Sequence, residues 1–136
     1  MQDQWTYWIP IKGLDQKYDL HSFLDNNIFF KIIFFSQNNS HQLEVLFERG
    51  VGSYEINQES IYLEKLSTLT QQYGLDFFKK WTFFKINDSR YLKFLSQQSH
   101  TISDTRNFIH FSMVTERAII NIIATQDPLI KIISKK

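Results

Sequence analysis

Apolar positions along this chain first alternate in short runs and later recur at helical spacing. In "HQLEVLFE" (41–48), Leu43, Val45 and Phe47 fall on one side, and Gln42, Glu44 and Glu48 on the other with Leu46. That is the period of a half-buried strand. "IFFKIIFFS" (28–36) is short, β-branched and aromatic, and predicts a buried strand ending in the turn "QNNS". "TYWIPIKGL" predicts a short first strand stopped by Pro10 and Gly13. "YDLHSFLDNN" follows neither period cleanly and is compatible with a helical turn. "RGVGS" supplies a glycine turn, after which "YEI" starts another strand.

The period then changes. Tyr62, Leu66, Leu69 and Tyr73 recur at helical spacing. Asn57 or Gln58 is placed to cap that helix, Glu59 suits its first turn, and Gly74 can close it. "KWTFFKI" returns to strand, and Asp88 or Ser89 can cap a second helix, "RYLKFLSQQS". "NFIHFSMVT" and "RAIINIIAT" predict two further strands joined tightly through "TER". Pro128 restricts the backbone before a last apolar segment, "LIKII". Strands in runs, interrupted by two helices, predict one α+β domain over 1–136: a mainly antiparallel sheet with about two helices packed on it.

Composition sharpens this reading. Thirteen Phe, six Tyr and three Trp imply a core of large flat side chains. The lack of cysteine excludes a disulfide framework, a thiolate metal site and a cysteine nucleophile. The start, "MQDQWTYWIP", has no basic n-region or apolar h-region, and "IFFKIIFF" is too short to cross a bilayer and is broken by Lys31. A soluble, cytoplasmic protein without a membrane partner is expected.

The net charge of +1 is unevenly spread: −1 over 1–40, −4 over 41–76 and +6 over 77–136. Asymmetry of this kind can mark a surface that faces a partner. Its acidic members Glu44, Glu48, Glu55, Glu59 and Glu64 are the candidate partner-binding residues.

Catalytic signatures are absent. None of His21, His41, His100 and His110 stands in a metal-ligand pattern. His41 and His100 lie in polar loop text, so exposure is expected there. His110, inside "FIHFSM", is the one histidine expected to be held by packing. A catalytic role for it would need a nucleophile or carboxylate alongside. Gly50 and Gly52 lack the rest of a phosphate loop and read as a turn. No catalytic residue, metal or cofactor is expected.

The densest passage is "FFKKWTFFKINDSRYLKFL" (77–95), with seven aromatic residues and five basic ones. Interleaved aromatics and bases can stack nucleobases and neutralise phosphates. The alternative is packing. Trp81 and Phe83 alternate with Thr82 and Phe84 as a strand buried on both faces would, and Tyr91, Phe94 and Leu95 read as a core stripe. Lys79, Lys80, Arg90 and Lys93 are then solvated edges. The second reading is preferred, and nucleic acid is not the expected partner.

"WTYWIPI", "LFERGVGSYEIN", "WTFFKINDSRYLKFLSQQS" and "HFSMVTERAIINIIATQDP" in succession resemble small cytoplasmic immunity proteins of bacterial polymorphic toxin systems, including contact-dependent growth inhibition. The likeness covers most of the chain as a texture of aromatic and turn positions. It implies a toxin inhibitor without catalysis of its own, acting through protein–protein interaction. Its partner would be the C-terminal domain of a cognate toxin, with its active site blocked. An acidic face would suit a nuclease with a basic cleft. Two further readings stand beside it. One is a nucleic-acid-binding module using Lys79, Lys80, Arg90 and Lys93. The other is a small enzyme or ligand-binding protein with a pocket near His110.

Overall fold

A computed structural model describes residues 3–14, 17–38, 40–74, 76–99 and 108–134; for 59, 61, 63, 64, 98, 99 and 134 it describes the backbone alone. The strands are β1 (Gln4–Tyr7), β2 (Tyr18–Asp25), β3 (Phe30–Ser36), β4 (His41–Phe47), β5 (Val51–Gln58), β6 (Phe83–Asn87), β7 (Ile109–Val114), β8 (Ala118–Ala124) and β9 (Leu129–Ser134). The helices are α1 (Leu63–Tyr73), α2 (Asp76–Lys79) and α3 (Arg90–Ser99), with a 3-10 turn at Glu59–Tyr62 leading into α1.

The strands form two antiparallel sheets, in the orders β1-β6-β7-β8-β5 and β2-β3-β4-β9. Alternation decides what each face meets. In the second sheet, Phe30, Ile32 and Phe34 of β3 and Leu43, Val45 and Phe47 of β4 turn inward. They pack against Phe83, Phe111, Met113, Ile120 and Ile122 of the first sheet. The opposite face of the first sheet presents Trp5, Phe84, Ile86, Val114 and Ile119, which are covered by Leu69 of α1 and Phe78 of α2. The order of layers is therefore sheet, sheet, helices. Phe83 and Phe84 are both fully buried because they point into different cores.

Residues 17–19 fasten the second sheet to the first. The Tyr18 N–H donates to Thr82 Oγ1 at 2.9 Å, and that hydroxyl donates to the Tyr18 carbonyl at 3.3 Å. The buried Lys17 ammonium donates to the carbonyls of Phe78, within α2, and Trp81, just after it. Gly50 answers the turn expected between β4 and β5. Its φ of +86° suits glycine alone, and a Cβ there would strike Thr125 Oγ1.

Several expectations change. "YDLHSFLDNN" is the strand β2, recruited by its ladder to β3 instead of by local preference. The expected caps Asn57 and Gln58 belong to β5, and α1 starts after Tyr62. Of the two expected caps of α3, Ser89 is the one used, its Oγ accepting the Leu92 N–H at 3.0 Å. Phe94 is no core residue; it is 56% exposed. Nothing in the apolar pattern announced α2.

Within the α1 stripe, Leu69 is buried while Tyr62, Leu66 and Tyr73 lie at the margin of the cluster. Leu69→Ala should cost about 2–5 kcal/mol, and Phe94→Ala should stay within about 0.5 kcal/mol of the parent. Equilibrium urea unfolding of the two variants checks this ordering.

Candidate functional site

Polar residues on the helix-facing side of the first sheet are buried or half-buried, and most of them bond one another. Asn121 of β8 stands opposite Glu55 of β5 and donates from Nδ2 to Glu55 Oε1 at 3.2 Å. The Tyr62 hydroxyl donates to the same oxygen at 2.9 Å. With the Asn121 amide so oriented, its Oδ1 meets His110 Nε2 at 2.7 Å, which places the imidazole proton on Nε2. Nδ1 is then an acceptor and takes the Ser89 hydroxyl at 2.6 Å. Tyr91 leans on the His110 ring, and its hydroxyl bonds Ser53 Oγ at 2.7 Å.

Burial pushes the His110 pKa below its ordinary value, against the opposing pull of the Asn121 hydrogen bond and Asp3. Burial first, and then the bond to Glu55, pushes the Tyr62 hydroxyl up to about 12. The nucleophile-like Ser89–His110 contact is thus a neutral bolt between α3 and β7. The Ser89 oxygen already accepts the helix-capping N–H while donating to the imidazole, so attack on a substrate would require surrender of the cap.

Above this network, between α1, α3 and the sheet, lies a cavity of about 90 Å³ whose wall includes Trp5, Glu55, Tyr62, Tyr91, His110 and Asn121. Asp3 stands at its side, bridged by Arg90 Nε at 3.6 Å and Lys65 Nζ at 4.0 Å. Among the described residues no cluster of three His, Asp or Glu could hold a metal ion.

The outer face of the second sheet is different. No described helix or strand packs over it. Register places Leu24, Lys31, Leu46 and Leu129 in one row and Ser22, Ile33, Glu44 and Lys131 in the next. Lys31 and Glu44 approach to 4.0 Å. Leu24 and Leu129 are exposed, and β2 and β9 are the free edges of the sheet.

The five candidate acids do not share a face. Glu44 is on this outer surface, half-buried beside Lys31. Glu48 is exposed just past β4. Glu55 points into the helix-side network. The side chains of Glu59 and Glu64 lie outside the described residues. Of the basic set, Lys80, Arg90 and Lys93 pair with Asp76, Asp3 and Asp88, and Lys79 is exposed. Phe78, Phe83 and Phe84 are buried and offer no ring for base stacking. His41 is a half-buried β4 residue bonded to the Tyr18 hydroxyl at 2.6 Å, contrary to the loop reading, and His21 is exposed. His100 lies outside the described residues. Sequence reasoning read Ser89 only as a cap and passed over Asn121. The signal for Asn121 was present: one polar residue in "AIINIIA" must find a partner. Asp3 gave no signal.

Stability should follow His110. The unfolded chain binds a proton near the ordinary value of 6.5, and the folded chain binds it only at lower pH. Its contribution is therefore whole above 6.5 and is lost as the pH falls below it toward the folded value. Urea midpoints between about pH 7.5 and about pH 5 should decline, and less steeply in His110→Gln. No protein-family model, curated protein or solved structure matches the chain.

Proposed function

We propose that the protein is a cytoplasmic immunity protein that binds a cognate bacterial toxin domain and blocks its working surface, without catalysis of its own. The observation that carries this reading is the uncovered outer face of β2-β3-β4-β9. Apolar Leu24, Ile33, Leu46 and Leu129 surround the charges of Lys31, Glu44 and Lys131. A sheet face with apolar area and a few fixed charges suits a protein partner. The resemblance of the aromatic and turn positions to immunity proteins points the same way.

Of the candidate acids, Glu44 is the one that supports this reading. Glu44 is the acid of the candidate set that register places on this face, and Lys31 and Lys131 flank it. The face itself therefore has no acidic bias toward a nuclease cleft. Its specificity would come from the alternating charge row and its affinity from the apolar positions.

The test is titration against the toxin domain encoded beside the gene. Leu46→Arg with Leu129→Arg should weaken binding at least about tenfold, and Glu44→Lys should slow association in a salt-dependent way. Melting temperatures should scarcely move, because these side chains are outside both cores. Lys93→Glu, on α3, should leave affinity unchanged. Full affinity in the double arginine variant would overturn the assignment of this face.

A further inference from the structure

The edge of a sheet presents a row of backbone N–H and C=O groups that a further strand can pair, and proteins blunt such edges with bulges, charges or covering groups. Three of the four edges of the two sheets are blunted. β1 has four residues, and the Tyr73 hydroxyl takes its Trp5 N–H at 3.1 Å. β2 breaks register between Leu20 and Ser22. β5 breaks register between Val51 and Ser53, and it turns the Glu55 carboxylate inward to Tyr62 and Asn121. β9 has none of these features among the described residues. It pairs with β4 in unbroken register from Leu129 opposite Leu46 to Ser134 opposite His41, and no described strand lies on its other side.

β9 is also apolar on both of its faces. Leu129 shares the outer row with Leu46 and is 56% exposed. Ile132 shares the inner row with the fully buried Leu43, yet it is 44% exposed, so the first sheet does not cover it. One strand laid beside β9 would pair the open backbone and pack against both side chains at once.

Charge indicates what that strand carries. Lys131, the charged residue of β9, is exposed and has no ion pair among the described residues. Glu44 stands opposite it but approaches Lys31 instead. A second copy of β9 would offer Lys131 no acid, because 128–136 contains none. An acid on a strand from a different protein would answer it.

We propose that the open edge of β9 takes up an extended segment of another protein by strand addition, with apolar residues beside Ile130 and Ile132 and an acid beside Lys131. This goes beyond docking on the outer sheet face, because it engages the β9 backbone. A failed toxin titration leaves it standing, and its own failure leaves the toxin reading standing.

The probe is the blocked peptide acetyl-Ser-Thr-Val-Glu-Val-Thr-Ser-amide, whose side-chain order is the same in either strand direction. Titrated into the ¹⁵N-labelled protein to about 5 mM, it should shift the backbone amides of β9 saturably and leave those of β1 and β5 in place. Alternate β9 amides, those on the open side, should become protected from hydrogen exchange. N-methylation separates a backbone ladder from side-chain packing, because only alternate N–H groups of an added strand face its neighbour. Methylating the two Val nitrogens, or instead the Thr and Glu nitrogens, should abolish binding by one peptide and spare the other. Lys131→Glu should weaken binding at least about threefold, and a peptide with Lys in place of its Glu should restore it. That Lys peptide should in turn bind the parent protein more weakly than the Glu peptide. An unchanged melting temperature shows that the variant is folded. Equal affinities of the two peptides for the parent protein would overturn the acid. Absence of a saturable shift, or the same result with both methylated peptides, would overturn strand addition. Protection of the open-side amides without peptide, in a protein that sediments as a dimer, would assign the edge to a second copy and overturn the choice of partner.

Discussion

A strand covered on both faces must send both of its rows of side chains into a core, so any polar residue it carries is buried. β6, β7 and β8 are covered in this way, and the polar residues that β7 and β8 nevertheless carry, His110, Ser112 and Asn121, are buried on the helix-facing side. The second sheet covers one face and α1 with α2 the other, so Phe83 and Phe84 can both be buried while adjacent in sequence. The aromatic content follows from it. Two interfaces must be filled by a chain of modest length, and large rings fill them with few residues. Rings meet edge to face where they cross between layers, as Phe34 with Phe83 and Trp5 with Phe78.

On the helix side most polar groups meet this constraint by bonding one another, although the Trp5 indole N–H and the Ser112 hydroxyl have no partner there among the described residues. His110, Asn121 and Glu55 come from three neighbouring strands, and Ser89 and Tyr62 arrive from the helical layer. Each bond fixes the donor and acceptor roles of the next, so the chain of contacts also fixes where α3 rests. A protonated imidazole would keep the Nε2–H bond to Asn121 but turn Nδ1 from acceptor to donor, against the Ser89 hydroxyl. The network orients structure more than it stabilises it, since buried hydrogen bonds return only about 1 kcal/mol each net of water.

Much of the fold was legible wherever periodicity was local. Leu43, Val45 and Phe47 declared β4, and the 62–66–69–73 spacing declared α1. β2 was not legible, because its second half, including Phe23 and Leu24, is exposed on both faces and carries no alternation. Its strand state comes from pairing with β3. The charge asymmetry was real as a sum but did not map to a surface. Glu44 and Glu55 are close in sequence, yet they belong to different sheets. A linear charge block predicts a face only when one element carries it. The cavity was illegible for the same reason: its walls come from β1, β5, β7, β8, α1 and α3, and no short window contains them.

The strand order has a kinetic consequence. β2-β3-β4 and β7-β8 are joined by short turns, so each can zip locally. β1 with β6, β5 with β8 and β4 with β9 must instead close long loops, and 66 residues separate Glu55 from Asn121. Loop-closure entropy is spent before these ladders return any contact energy, which slows folding. The free β4 and β8 edges therefore stay unpaired in early assembly. The bonds from Lys17 and Tyr18 to α2 and the segment after it can form before β9 is seated, holding the two half-built sheets at their final spacing while the last strands search for their partners.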